Sequence, residues 1–210
     1  MTDDLAAEIA ATAARLVVEE GLEYGPAKRR AVKTLGLPAR TALPDNDRVE
    51  AEVRDYLALF RADSQPAELR ALRELALGWM RQLAEFRPHL GGAVWHGTAT
   101  RLSDVFLQLF CDDPKSAEIA LINQGLRYEV GSLQGFNGAV VDVLSLHARG
   151  PRGSVLEHEG IVVHLLIHDL DDLRGALQPD AQGRTPRGSL EAVARLILQT
   201  PPIPDNGASA

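Results

Sequence analysis

HLGGAVWHGTATRLSDVFLQLFC, residues 89 to 111, decides the fold. A helix runs into Gly91-Gly92, and the apolar triplet Ala93-Val94-Trp95 reads as a short strand. The small residues His96-Gly97-Thr98-Ala99-Thr100 make a turn, and Val105 to Cys111 is a second, longer apolar strand that opens directly after Ser103-Asp104. An acid at the mouth of a buried strand, facing a Gly/Thr turn, is a place for phosphate and metal chemistry, because backbone N–H groups in such turns attract anions and carboxylates attract hard cations.

Upstream, Ser64 and Pro66 open a long helix, with Leu69, Leu72, Ala76, Trp79, Leu83 and Phe86 along one face and Pro88 and Gly91-Gly92 as its stop. Before it come three amphipathic helices. Leu5, Ile9, Ala13, Leu16 and Val17 stripe the first, over residues 4 to 20. Gly25-Pro26 starts the second, whose outer face carries Lys28, Arg29, Arg30 and Lys33, and Asp45, Asn46 or Asp47 caps the third. Downstream, Pro114 to Gln124 reads as a helix, Leu126 to Leu133 as a strand, and Gly135-Phe136-Asn137-Gly138 as a hairpin-like turn. Ala139 to His147 and Ile161 to His168 are strong strands around a polar loop. A short helix over Leu173 to Leu177 and a last one over Leu190 to Gln199, capped by Ser189, complete the pattern. The division expected is an α-helical region over residues 1–62, an α/β domain over 63–200 and a disordered tail over 201–210.

Composition narrows the function classes. The 210 residues are 45% hydrophobic and 24% charged, with a net charge of −7. An acidic chain is a poor general nucleic-acid binder, since a polyanion needs a basic surface. The single cysteine, Cys111, excludes an internal disulfide framework and a cysteine-based zinc site, and it reads as a small buried hydrophobe. The acidic start Met1-Thr2-Asp3-Asp4 lacks the order of a signal peptide, and no apolar run approaches the ~20 residues of a bilayer span, so a cytoplasmic location and no membrane are expected. There is no G-x-x-x-x-G-K-[ST], no G-x-G-x-x-G before a helix and no H-E-x-x-H. His164 and His168, four apart on one strand, are roughly 13 Å apart and cannot chelate one ion together.

The segment Gly92-Ala93-Val94-Trp95-His96-Gly97-Thr98-Ala99-Thr100-Arg101-Leu102-Ser103-Asp104-Val105-Phe106-Leu107 resembles the signature of the nucleotidyltransferase fold superfamily, whose small bacterial members carry G-S-x-A-x-G-x-A-x-x-x-S-D-I-D-L. Gly92, Gly97, Ala99, Ser103, Asp104 and Leu107 match. Ala93 stands where the family has a phosphate-contacting Ser, and Phe106 where it has the second Asp of a metal-binding D-x-D pair. The resemblance implies a nucleotidyltransferase-like mixed β-sheet with helices, an α/β (α+β) fold preceded by the small helical region. It implies Mg²⁺ and an NTP, catalytic and metal-binding roles for Asp104, and nucleotide contacts from Gly92, His96, Gly97, Thr98 and Ser103. The family draws a third carboxylate from a neighbouring strand, and Asp142, an acid within Val140-Val141-Asp142-Val143-Leu144, is expected beside Asp104 as the second catalytic and metal-binding acid. A lone charge in such a strand is costly unless it meets a metal, a cation or hydrogen bonds. Glu129 is a further acid that could fill the place of the missing one.

Two functions follow: a Mg-dependent transferase moving NMP from an NTP to a small molecule or protein, or a catalytically degenerate relative that acts by binding a nucleotide or a protein. The partners expected are a small-molecule nucleotide and a protein partner or second copy of the chain, with no nucleic acid.

Overall fold

The computed structural model describes residues 2–180 and 183–199. The tail expected over 201–210 lies outside the described residues. Two compact units are present: one comprises the residues up to Pro66 with Thr98–Ser103, the other Ala67–Gly97 and the residues from Asp104 onward.

The first unit is helical. Helices α1 (Thr2–Glu20), α2 (Tyr24–Thr34) and α3 (Asn46–Phe60) bury Ile9, Ala13, Ala31, Val49 and Val53 in a common core. Asp45 is the N-cap of α3, its carboxylate accepting the Arg48 backbone N–H at 2.7 Å, so one of the three candidate caps takes the role. On the cationic face of α2, Lys28 is tied to Asn46 Oδ1 at 2.8 Å and Arg30 to Glu20. Helix α4 (Gln65–Gln82) begins here and continues into the second unit.

The second unit is a mixed α/β sheet of five strands: β1 (His89–Gly91), β2 (Val105–Cys111), β3 (Glu129–Gln134), β4 (Val140–Arg149) and β5 (Gly160–Asp169), in the order β1-β2-β5-β4-β3. β2 and β5 are parallel, and every other neighbouring pair is antiparallel. Around the sheet stand α5 (Gly92–His96), α6 (Pro114–Asn123), α7 (Leu173–Ala176) and α8 (Leu190–Gln199), the last with its Ala192 N–H on the Ser189 hydroxyl as expected.

The stretch read first folds differently at its start. α4 stops at Gln82, and a single 3₁₀ turn over Ala84–Phe86 ends on Arg87 in the left-handed region at φ 47°. The strand lies before Gly92, not after it, and Ala93-Val94-Trp95 is helical. Gly92 and Trp95 account for it. Gly92 sits at φ 65°, a conformation that costs glycine little and turns the chain out of the sheet after three paired residues. Trp95 then places its indole N–H on the Thr185 carbonyl at 2.7 Å, a partner a strand would not reach.

Paired residues on neighbouring strands share a face, so the register sorts the sheet. The back carries Leu107, Leu165 and Leu144 in one row, each no more than 3% exposed. Burying such a leucine contributes about 1.5–3 kcal/mol. The front carries the row Gly91, Phe106, His164, Ser145 and Glu129, one residue from each strand from β1 to β3. Towards the carboxyl ends of β2 and β5 this face is closed over Phe110 and His168, and at the other end Phe106, His164 and Ser145 remain half-buried.

Candidate functional site: the open end of the sheet front

Asp104 stands one residue before β2, one step beyond the Val105–Val163 pair and so level with Val162 on β5, and on the Phe106 side of the sheet. Its Oδ2 lies 3.3 Å from His164 Nε2, and His164 Nδ1 lies 2.8 Å from Ser145 Oγ. With the imidazole proton on Nε2, His164 donates to Asp104 and accepts the Ser145 hydroxyl, a tautomer that satisfies all three groups. The Phe106 ring stacks on His164, centroids 4.7 Å apart at 26°. The acid that opens the strand therefore faces an imidazole and a phenyl ring, the latter at the position where the resemblance calls for a second Asp.

Asp142 is not beside it. Its partner on β5 is Ile167, which puts it on the back of the sheet, and β5 separates its strand from β2. Along β5, Ile167 lies five residues from Val162, on the order of 16 Å. The expected Asp104–Asp142 pair is thus not formed. The Asp142 carboxylate is exposed, so its charge stays in water; Lys115 of α6 is paired with Glu118 at 2.9 Å, and that contact first, then the Asp142 charge, raises the Lys115 pKa. Glu129 lies on the edge strand in register with Ser145, three strands from Phe106, and does not supply the missing acid.

The residues expected to hold a nucleotide are divided between the units. Gly92 starts α5, and a Cβ there would sit 3.6 Å from the Phe106 ring. His96 ends α5, and Gly97 follows in the left-handed region at φ 87°, its N–H on the Ala93 carbonyl at 2.9 Å. Arg73, a buried guanidinium on α4, donates to the Val94 carbonyl at 3.1 Å and so satisfies the end of that short helix; burial holds its pKa below the ordinary arginine value.

Thr98 and Ser103 belong to the helical unit. The buried Thr98 hydroxyl approaches the Tyr24 phenol without closing a well-formed hydrogen bond, and burial raises the Tyr24 pKa. Ser103 Oγ accepts the Thr100 N–H at 3.0 Å while the Ser103 N–H returns to the Thr100 carbonyl at 2.9 Å. Gln65 fastens the same turn through the Ala99 carbonyl at 2.9 Å. Ser103 and Gln65 thus close the turn by hydrogen bonds within its own unit.

A Mg²⁺ ion wants several oxygen ligands in near-octahedral array. Around Asp104 the front offers that one carboxylate, an imidazole already hydrogen-bonded on both nitrogens and a hydroxyl, with Glu129 out on the edge strand. No group of three His, Cys, Asp or Glu among the described residues could hold a metal. This donor set does not fit a two-metal site.

Sequence reasoning missed His164 and Ser145 as neighbours of Asp104. A signal was present. Phe106 and Phe110 are spaced as His164 and His168 are, and on parallel strands in register the two pairs stack, the second with centroids 5.3 Å apart. His168 is nearly fully buried, and burial, then the charge of Arg187, push its pKa down. Burial lowers His89 likewise. Both are therefore neutral in the fold, and the unfolded chain binds protons first as pH falls. Stability is full above the ordinary value of 6.5 and drops as pH goes below it. The urea midpoint should fall from about pH 7 to 5, less steeply in His168→Phe, which keeps a ring there and cannot titrate. Equal slopes in the two proteins would contradict this.

No family model matches the chain, and no curated protein matches it. Among solved structures, Cid1 poly(U) polymerase with MgGTP bound aligns at 14% identity and a TM-score of 0.34, over 57% of this chain and 38% of that one. The same polymerase in complex with the UTP analog UMPNPP aligns at 13% identity and a TM-score of 0.32, over 57% and 36%. The chain spans less than two fifths of the length of these neighbours. No helix among the described residues is long and apolar enough to cross a membrane.

Proposed function

We propose that the chain is a nucleotidyltransferase-fold protein that has given up two-metal chemistry and acts by binding a small-molecule nucleotide at the open front of its sheet. The observation that carries this reading is the Phe106–His164 stack beside Asp104, 4.7 Å between centroids. An apolar ring and an imidazole occupy the places on β2 and its parallel neighbour from which further carboxylates would reach a metal shared with Asp104. The motif around Gly92, Gly97, Ser103 and Asp104 supports the fold assignment. The polar, half-buried row of His164 and Ser145 supports a binding surface over a packed core.

Calorimetric titration of ATP, GTP, CTP and UTP, in EDTA and in Mg²⁺, on wild type and Asp104→Ala, tests it. The two readings predict opposite signs. In a metal-free site the Asp104 carboxylate repels the phosphates, so Asp104→Ala binds more tightly, by on the order of threefold, and Mg²⁺ is not needed. Binding that requires Mg²⁺ and vanishes in Asp104→Ala would restore the transferase. No binding by any of the four would overturn the nucleotide and leave a protein partner.

A further inference from the structure

We propose that the loop joining β4 to β5 is an anion site that takes the phosphates of a small ligand directly on its cations, with no metal between. Arg149, Gly150, Arg152, Glu157 and His158 line a cleft of ≈ 370 Å³ there, ample for a di- or triphosphate group. Arg149, Arg152 and His158 are exposed, and no carboxylate pairs with either arginine among the described residues. Arginine presents a planar fork of N–H donors that matches phosphate oxygens, and an imidazole N–H adds a donor.

The backbone that carries these groups is held in place. Leu156, 1% exposed, anchors it from below, and Gly150 packs so closely that a Cβ would lie 1.8 Å from the Leu156 carbonyl oxygen. Ser154 Oγ donates to the Pro151 carbonyl at 2.7 Å and accepts the Leu156 N–H at 3.2 Å. Gly150 N–H reaches the Glu159 carbonyl at 3.2 Å. The acid on the cleft wall, Glu157, is engaged by the Gly153 N–H at 2.9 Å. The backbone frame is preorganised, so the ordering cost of taking an anion falls on the two arginine side chains.

Its position ties it to the open front. Arg149 is in register with Gly160, the first residue of β5, and Asp104 stands level with Val162, two residues further, roughly 7 Å along the strand. Ser145, His147 and Arg149 lie on the front of β4, leading from the His164 row to the loop. The cations thus stand at the Asp104 end of the sheet, in a chain whose net charge is −7. This deepens the binding reading and rests on it only for the nucleotide. The affinity of the loop for an oligophosphate stands by itself.

Pyrophosphate, tripolyphosphate and ATP are titrated calorimetrically in EDTA against wild type, R149Q/R152Q and E157Q, with melting curves to show that each variant is folded. The oligophosphates should bind wild type, about tenfold or more weaker in R149Q/R152Q, somewhat tighter in E157Q, and weaker as salt rises. Oligophosphate affinity unchanged in folded R149Q/R152Q, or absent from wild type, overturns the proposal. If ATP binds equally well to wild type and R149Q/R152Q, the loop is excluded as its phosphate site while the nucleotide reading survives. If the oligophosphates bind through the arginines and no nucleotide binds, the loop proposal holds and the nucleotide reading falls.

Discussion

Gly188→Ala should lower the melting midpoint by roughly 6–12 °C, from a destabilisation of about 3 kcal/mol at 2–4 °C per kcal/mol for a chain of this size. Gly188 exchanges two backbone hydrogen bonds with Leu90, each 2.9 Å, and so extends the sheet past β1. A Cβ at this position would lie 2.0 Å from Trp95 Cζ3 and within 2.5 Å of two further indole atoms. The indole cannot swing aside cheaply, because its N–H is held by the Thr185 carbonyl at 2.7 Å. Either the ring leaves its seat or the Leu90–Gly188 bridge opens, and both uncouple the segment before α8 from β1. Trp95 fluorescence should shift to the red in the variant. A midpoint within 2 °C of wild type would show that this contact is not rigid.

The double variant Phe106→Asp, His164→Asp should gain a divalent-cation site that wild type lacks. Positions 104 and 106 project to the same face, and 164 is the register partner of 106 on the adjacent parallel strand, so three carboxylates would converge. Without metal, three like charges repel and the variant should melt below wild type. With Mg²⁺ or Mn²⁺ in excess by about a hundredfold over Kd, binding to the folded state alone should recover about 2.7 kcal/mol, or roughly 5–10 °C. Wild type should show no such rise. A metal-induced shift of equal size in wild type would mean that Asp104, His164 and Ser145 already hold a cation.

Much of this architecture was legible in the residues, and the parts that were not share a cause. β4 and β5 announced themselves as long apolar runs, and Asp104 as an acid opening one more. The triplet Ala93-Val94-Trp95 misled because three apolar residues carry no period, and helix and strand are then indistinguishable. What settles it, a left-handed Gly92 and a carbonyl ninety residues away for Trp95, is tertiary. Asp142 is expected beside Asp104 because the resemblance draws a third carboxylate from a neighbouring strand and an acid in an apolar strand invites a partner. Register decides which face it takes, and a shift of one residue reverses the answer. The strand order, with β5 between β4 and β2, lies equally beyond local pattern. His164 was weighed with His168 as a chelating pair along one strand. Its partners are across strands: Phe106 on β2 and Ser145 on β4. The open end of the front is therefore assembled by pairing that the chain encodes only at long range.

Calorimetry of ATP with wild type, once in EDTA and once in Mg²⁺, tests the central claim most directly. The account predicts binding in EDTA that Mg²⁺ does not strengthen, since among the described residues no carboxylate cluster on the sheet front waits for a metal and Mg²⁺ on the phosphates competes with the loop arginines. Binding that appears only with Mg²⁺ would contradict it and return Asp104 to a metal-dependent transferase.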